Sequence, residues 1–255
     1  MSVTNSYQGV RHVVVDNHGG GSITVEPGSR PDIVEATIDE AAEKFGERVE
    51  IRHERDWLRI GFPQFPWHAK AHLRLAVPDG LAFVIKTGSA YISISADIGS
   101  SKIISGSGDI TIGNAVDLDC GTGSGNISVA RVDGTGAQLS SGSGDVSIGE
   151  ANCPITAKSG SGEVLVKSVR GASLQAKSGS GDIAISATSG SVDLRSASGS
   201  LTVGVADNLP VWLDLSSVSG DIRIGLESTN EPVPGEPYIT VRARTASGDI
   251  SIHRS

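Results

Sequence analysis

Large rings are scarce in this chain. Aromatic residues make up 4% of its 255 positions. Globular cores of ordinary width draw heavily on Phe, Tyr and Trp, so the composition points to a thin interior of Ile, Val, Leu and Ala. Cysteine is nearly absent: Cys120 and Cys153 are the two copies, which excludes a disulfide framework. Cys120 falls at an inward strand position and reads as a small buried hydrophobe. Positive charge is in deficit, with 21 Lys and Arg against 29 Asp and Glu and a formal net charge of −8. That balance argues against a nucleic-acid partner, which needs a broadly basic surface. No apolar run approaches the ~18 residues of a membrane span. Met1-Ser2-Val3-Thr4-Asn5 lacks the basic and apolar blocks of a signal peptide, so a cytoplasmic location is expected.

What is present is repetition. The phrase Ser105-Gly106-Ser107-Gly108-Asp109-Ile110-Thr111-Ile112 returns as Ser178-Gly179-Ser180-Gly181-Asp182-Ile183-Ala184-Ile185. Eight copies have as fifth residue Asp109, Asn126, Asp145, Glu163, Asp182, Ser200, Asp221 and Asp249; subtraction gives spacings of 17, 19, 18, 19, 18, 21 and 28. A degenerate ninth copy ends at Tyr91, 18 residues before Asp109. Every copy opens on Ser or Thr and has Ser-Gly before the fifth residue. The invariant glycine marks a tight bend that demands positive φ or close backbone approach. On both sides, apolar residues sit two apart, as in Leu174/Ala176 before a bend and Ile183/Ile185 after it. A period of two is a strand with one buried face. Near-constant spacing close to 20 residues is the signature of stacked repeats.

The predicted fold is therefore all-β: a β-solenoid of the parallel β-helix or β-roll type, built from two-strand coils of about 18 residues. An antiparallel meander is the alternative, but it would not need the same five residues at every turn. In the stack, strands lie ~4.8 Å apart, so serine over serine could form hydroxyl ladders. Two regions are expected. Residues 1–80 form an irregular β-rich N-terminal cap with the first coils, and 81–255 form the regular repeats. Within the former, residues 10–27 are a first irregular copy that caps the stack, and Asp39 to Glu47 suits a short helical turn. In the latter, the proline-rich stretch 227–237 is an inserted loop, and Thr245 to His253 ends the stack.

Little in the repeat suggests catalysis. The serines lack the strand-to-helix setting of a nucleophile elbow, and no helix follows to make a phosphate or dinucleotide loop. The six histidines show no metal-type spacing. No catalytic residue, metal ligand or cofactor is assigned. The acidic fifth residues would form a column of the kind a calcium β-roll uses, but the spacing is twice that of the calcium repeat. Their expected role is to cap bends through backbone N–H groups. Lys158, Lys177 and Arg195 precede three successive bends on the outward face, with Arg244 later. They suit a small anion or glycan, or pairing across the bend with Glu163, Asp182 and Asp249. Phe65, Trp67 and His68, in the loop Pro63-Gln64-Phe65-Pro66-Trp67-His68, are candidates for partner contact or for covering the core's end.

Three stretches carry a family resemblance: Leu73-Arg74-Leu75-Ala76-Val77-Pro78-Asp79-Gly80, then Lys86-Thr87-Gly88-Ser89, then the serial Ser-Gly-Ser-Gly-Asp units. Together with Val211-Trp212-Leu213-Asp214 and the closing Val241 to Ile250, they resemble the bacterial β-strand-repeat proteins called putative adhesins. These are a domain family of unknown function. The resemblance implies a right-handed or related β-solenoid and supplies no catalytic residue. The function expected is a non-enzymatic scaffold that meets a protein or a glycan. Its alternatives are a carbohydrate-active enzyme on a β-helix, and a calcium-binding β-roll.

Overall fold

The computed structural model describes residues 2–39, 49–63, 70–207, 209–227 and 238–255. The segment expected to form a helical turn and the proline-rich insertion lie outside them, apart from Asp39, which closes a strand, and Glu227. The chain forms two compact units, Met1–Val129 and Ala130–Ser255. Both are all-β.

In the second unit the strands are β14 Ala137–Ser141, β15 Val146–Ala151, β16 Ile155–Ser159, β17 Val164–Val169, β18 Leu174–Ser178, β19 Ile183–Thr188, β20 Val192–Ser196, β21 Leu201–Val205, β22 Val211–Ser217, β23 Ile222–Gly225, β24 Ile239–Thr245 and β25 Ile250–Arg254. They alternate between two sheets. One runs β14-β16-β18-β20-β24-β22 and the other β15-β17-β19-β21-β25-β23. The pairings between these neighbours are parallel. Equivalent residues therefore stack. Ala157, Ala176, Leu194 and Ala243 form one inward column, and Val164, Ile183, Leu201 and Ile250 another. Each of these side chains is fully buried. A solenoid satisfies its backbone by pairing each strand with the coils on either side, so a thin aliphatic core suffices.

The order of coils departs from the order of sequence. Strand β24 pairs with both β20 and β22, and β25 with both β21 and β23. The last copy, Thr245 to His253, thus does not end the stack; it lies inside, and β22 and β23 form the outermost coil. Burial agrees: Ile250 and Ile252 are buried, whereas Ile222 and Ile224 are 43% and 51% exposed. The chain passes over a rung between Val205 and Val211, and the connection from Gly225 to Ile239 is long enough to return it to that rung.

The first unit contains β1 Ser2–Gln8, β2 His12–His18, β3 Gly21–Pro27, β4 Ile33–Asp39, β5 Glu50–Glu54, β6 Trp57–Gly61, β7 Ala71–Val77, β8 Ala82–Thr87, β9 Tyr91–Ile94, β10 Ser101–Ser105, β11 Ile110–Ala115 and β12 Leu118–Thr122; β13, Ile127–Val132, crosses the boundary. The first copy in sequence is again not the cap. Strand β2 pairs in parallel with β6 and β8, and β3 with β7 and β9. The outer rungs are antiparallel: β5 on β6, β4 on β7 and β1 on β4. Their charged and polar outer residues end the regular ladder, in keeping with how natural sheets blunt an edge.

Candidate functional site

The bend is built on the hydroxyl that opens each copy. In all eight copies the opening Ser or Thr oxygen accepts from the glycine N–H three residues on, at 2.8–3.1 Å. In Thr122, Ser159, Ser178, Ser196, Ser217 and Thr245 the same hydroxyl then donates to a glycine carbonyl of the adjoining coil. Ser159 donates to Gly144 O at 3.0 Å, Ser178 to Gly162 O at 3.3 Å, and Thr245 to Gly199 O at 3.0 Å. The expected serine-over-serine ladder is therefore largely replaced. Thr87 donating to Ser105 Oγ at 3.2 Å is a hydroxyl pair of that kind. A carbonyl is the better axial partner, because it would otherwise be buried unsatisfied.

The bend glycines have no positive φ; among the described glycines that conformation belongs to Gly9, Gly21, Gly80 and Gly171. Their requirement is close approach. A Cβ built on Gly181 would overlap the carbonyl of Gly162, one on Gly199 that of Gly181, one on Gly248 that of Gly199, and one on Gly220 that of Gly248. This succession repeats the spatial order of the coils rather than the order of the chain.

The acidic column is engaged with backbone. Asp145 Oδ1 accepts from the Glu163 N–H at 2.8 Å, Asp182 from Ser200 at 2.7 Å, Asp249 from Asp221 at 2.9 Å, and in the first unit Asp109 from Asn126 at 2.8 Å. Each carboxylate caps the neighbouring coil's bend. Among the described residues there is no group of three or more His, Cys, Asp or Glu placed to hold a metal ion.

The basic residues behave differently. Lys158 lies opposite Lys177, Lys177 opposite Arg195, and Arg195 opposite Arg244, each in direct parallel register. All four are exposed. They form one outward row rising ~4.8 Å per rung. The ion pairs seen do not cross the bend to Glu163, Asp182 or Asp249. Arg195 donates to Asp193 of its own strand at 3.1 and 3.0 Å, which raises its pKa further, and Arg244 donates to Asp214 at 2.9 Å. Asp249 instead lies 3.8 Å from Arg223. The reason is geometric: the fifth residue of the phrase begins the other sheet, while a side chain two positions back shares the face. Lys158 and Lys177 have no carboxylate within 4.0 Å among the described residues.

Two further residues share this face and were not picked out from sequence. Arg242 lies 3.8 Å from Asp214. Trp212 is in register with Thr240 and 54% exposed. The alternation Val211-Trp212-Leu213-Asp214-Leu215 already marked Trp212 as outward; what sequence lacked was the skip in coil order that brings β22 beside β24.

Phe65, Trp67 and His68 lie outside the described residues. The chain leading to them packs Phe62 edge-on against His18, with centroids 4.5 Å apart. His18 is fully buried and neither ring nitrogen has a hydrogen-bond partner. Burial, and secondarily the charge of His72, pushes its pKa down to about 4; backbone groups of Ala71 and His18 offset part of this. The folded pKa lies below the unfolded value of 6.5, so the unfolded state binds the proton more readily. The stabilisation is complete above about pH 6.5 and is lost as pH falls toward 4, amounting to roughly 2–3 kcal/mol by the lower end. Urea unfolding at pH 7 and pH 4 should show this loss, and His18→Leu should remove most of it. Burial likewise pushes the Cys120 thiol up to about 12, as expected of an inward, unreactive cysteine.

Comparison with solved structures returns likenesses over the whole chain at low identity. One is a putative adhesin from Bacteroides fragilis NCTC 9343, 13% identical, with a TM-score of 0.44, covering 99% of this chain and 97% of that one. Another is a putative adhesin from Parabacteroides distasonis ATCC 8503, 12% identical, with a TM-score of 0.42, covering 98% and 97%. A third, from the same organism, is described as a putative lipid binding protein; it is 16% identical with a TM-score of 0.41, covering 98% and 96%. No curated protein matches. The sequence from residue 12 to residue 253 matches the Toastrack DUF4097 family, and the chain belongs to that family.

Proposed function

We propose that the protein is a non-enzymatic scaffold that holds an acidic partner against the outer face of the β14–β24 sheet. The observation that carries this reading is the row Lys158, Lys177, Arg195 and Arg244, stacked in register across adjacent strands. Like charges directly opposite each other on neighbouring strands destabilise a sheet by a few tenths to about 1 kcal/mol per pair. Arg195 and Arg244 are offset by Asp193 and Asp214, but Lys158 and Lys177 face each other without such a partner among the described residues; stability does not account for that pair, whereas an anion laid across it would. Within the acidic column, Asp145, Asp182 and Asp249 are engaged with neighbouring backbone and Asp221 with Arg223. The remaining outer positions of these strands include Gln138, Thr156, Gln175 and Ser140, which suit hydrogen bonding to a ligand rather than proton transfer.

The test is retention on immobilised acidic ligands at low salt, using both a carboxylated polysaccharide and an acidic polypeptide. The wild-type protein should be held on at least one, although its net charge is −8. The double variant Lys158→Glu/Lys177→Glu should elute with an unchanged melting temperature, because both side chains are exposed. Salt near 1 M, where the screening length falls to about 3 Å, should release the wild type. Equal retention of the two proteins would refute the assignment.

A further inference from the structure

We propose that the protein pairs with a second copy of itself through the open end of its second unit, the β22 and β23 edges meeting their counterparts about a two-fold axis. The backbone shows which groups are on offer. In successive coils, the residue after the fifth position donates its N–H to the coil beyond: Ile183 to Ser200 O at 2.9 Å, Leu201 to Asp249 O at 2.8 Å, and Ile250 to Asp221 O at 2.8 Å. Ile222 is next in that series, and among the described residues no strand lies beyond β23. Asp221 O faces β25, so strand alternation turns the N–H and C=O of Ile222 to the open side. The same holds on β22. Ile239 donates to Pro210 O at 2.9 Å, which turns the N–H and C=O of Val211, Leu213 and Leu215 away from β24. The core-facing side chains are short of cover as well. Ile222 and Ile224 are exposed, and Val211, Leu213 and Leu215 are half-buried, whereas Ile239, Val241 and Ala243 in register with them are fully buried.

Three features select a second copy as the occupant. An extended peptide pairs with one edge and leaves the other strand and the apolar interior between them uncovered; a matching end coil continues both sheets at once. Charge is the second feature. Antiparallel self-pairing of β23 about Ile222 exchanges both Ile222 N–H···O=C bonds, sets core residue against core residue, and places each Arg223 opposite the second copy's Asp221. Arg223 already bonds Asp221 of its own strand at 3.0 Å, so the two side chains share the face on which that pairing needs them. Third, the outer strands of the first unit offer no such edge. Strand β5 reads Glu50-Ile51-Arg52-His53-Glu54, whose charges blunt it against a head-to-tail chain of copies, so the association closes as a dimer. Antiparallel outer rungs already occur in this fold, in β5 on β6 and β4 on β7.

Sedimentation equilibrium of the full chain, from micromolar to near-millimolar protein, should show a reversible monomer–dimer equilibrium with no larger species. Ile222→Pro removes an N–H that takes no part in the ladder to β25, and should weaken the dimer roughly tenfold or more. Ile222→Cys should cross-link two chains on mild oxidation, because a hydrogen-bonded antiparallel pair holds its Cα atoms ~5.5 Å apart. Arg223→Asp and Asp221→Arg should each be monomeric alone, since like charges then face each other across the axis. Mixed together, the two variants should associate, because every facing pair is again one aspartate and one arginine. A monomer at every concentration would overturn the proposal: the edge would then be closed within a single chain. A dimer that neither Ile222→Pro nor the charge reversals weaken would overturn it too, and so would a mixture of the reversed variants that stays monomeric.

Discussion

Replacing Gly181 by alanine is expected to destabilise the protein by at least about 4 kcal/mol, a loss in the exceptional class for a single added methyl. The added Cβ would overlap the carbonyl of Gly162 in the coil beside it; its position is fixed by its own Cα, and both segments of backbone are held in register by the flanking strands. No side chain can rotate away to make room. Gly113→Ala is the matched control. Its φ is not left-handed, and a Cβ there meets its nearest neighbour, Ile94 O, at 3.5 Å, an ordinary contact. That change should move stability by less than about 1 kcal/mol, since alanine also narrows the unfolded ensemble. Urea unfolding of the two variants separates them. A near-neutral Gly181→Ala would mean that the bends do not lie one over another.

Ile183→Ala should cost about 2–5 kcal/mol, the range for an aliphatic truncation in a packed core, because Ile183 is fully buried between Val164 and Leu201. Ile222→Ala, at the same place in its own copy of the repeat, should cost under about 1 kcal/mol. Ile222 has Ile250 on one side only and is 43% exposed. The two isoleucines follow the same Ser-Gly-Asp phrase, so sequence alone assigns them equal weight. Unequal losses measured by denaturant unfolding would report the position of β23 at the end of the stack. Equal losses would place another strand against it.

That contrast shows where the sequence was informative and where it was not. Period-two alternation around an invariant Ser-Gly pair specified strand, bend and strand in each repeat, and near-constant spacing specified parallel stacking. Both are local properties, read within one copy or between adjacent copies. The direction of the glycine constraint was not legible: Gly181 could have served a left-handed φ or a close approach, and only the neighbouring carbonyl decides. Coil order was not legible either, since β24 carries the same pattern whether it sits inside or at the end. The site was half visible for the same reason. Lys158, Lys177 and Arg195 precede consecutive bends and could be aligned by counting. Arg244 joins them from 49 residues beyond Arg195, and Trp212 and Arg242 join through the rung that the chain skips and later fills.

The most direct test of the account joins Arg195 to Arg244. In the variant Arg195→Cys/Arg244→Cys the two Cα atoms would lie about one strand spacing apart, within the 4.4–6.8 Å that a disulfide spans. Mild oxidation followed by mass spectrometry of the proteolysed chain should find the 195–244 linkage in high yield, with Cys120 and Cys153 unmodified in the core. A second variant, Arg195→Cys/Ser216→Cys, spans two rungs and should remain reduced. A 195–216 linkage with no 195–244 linkage would show that the coils follow chain order, and the row of cations would then not exist as described.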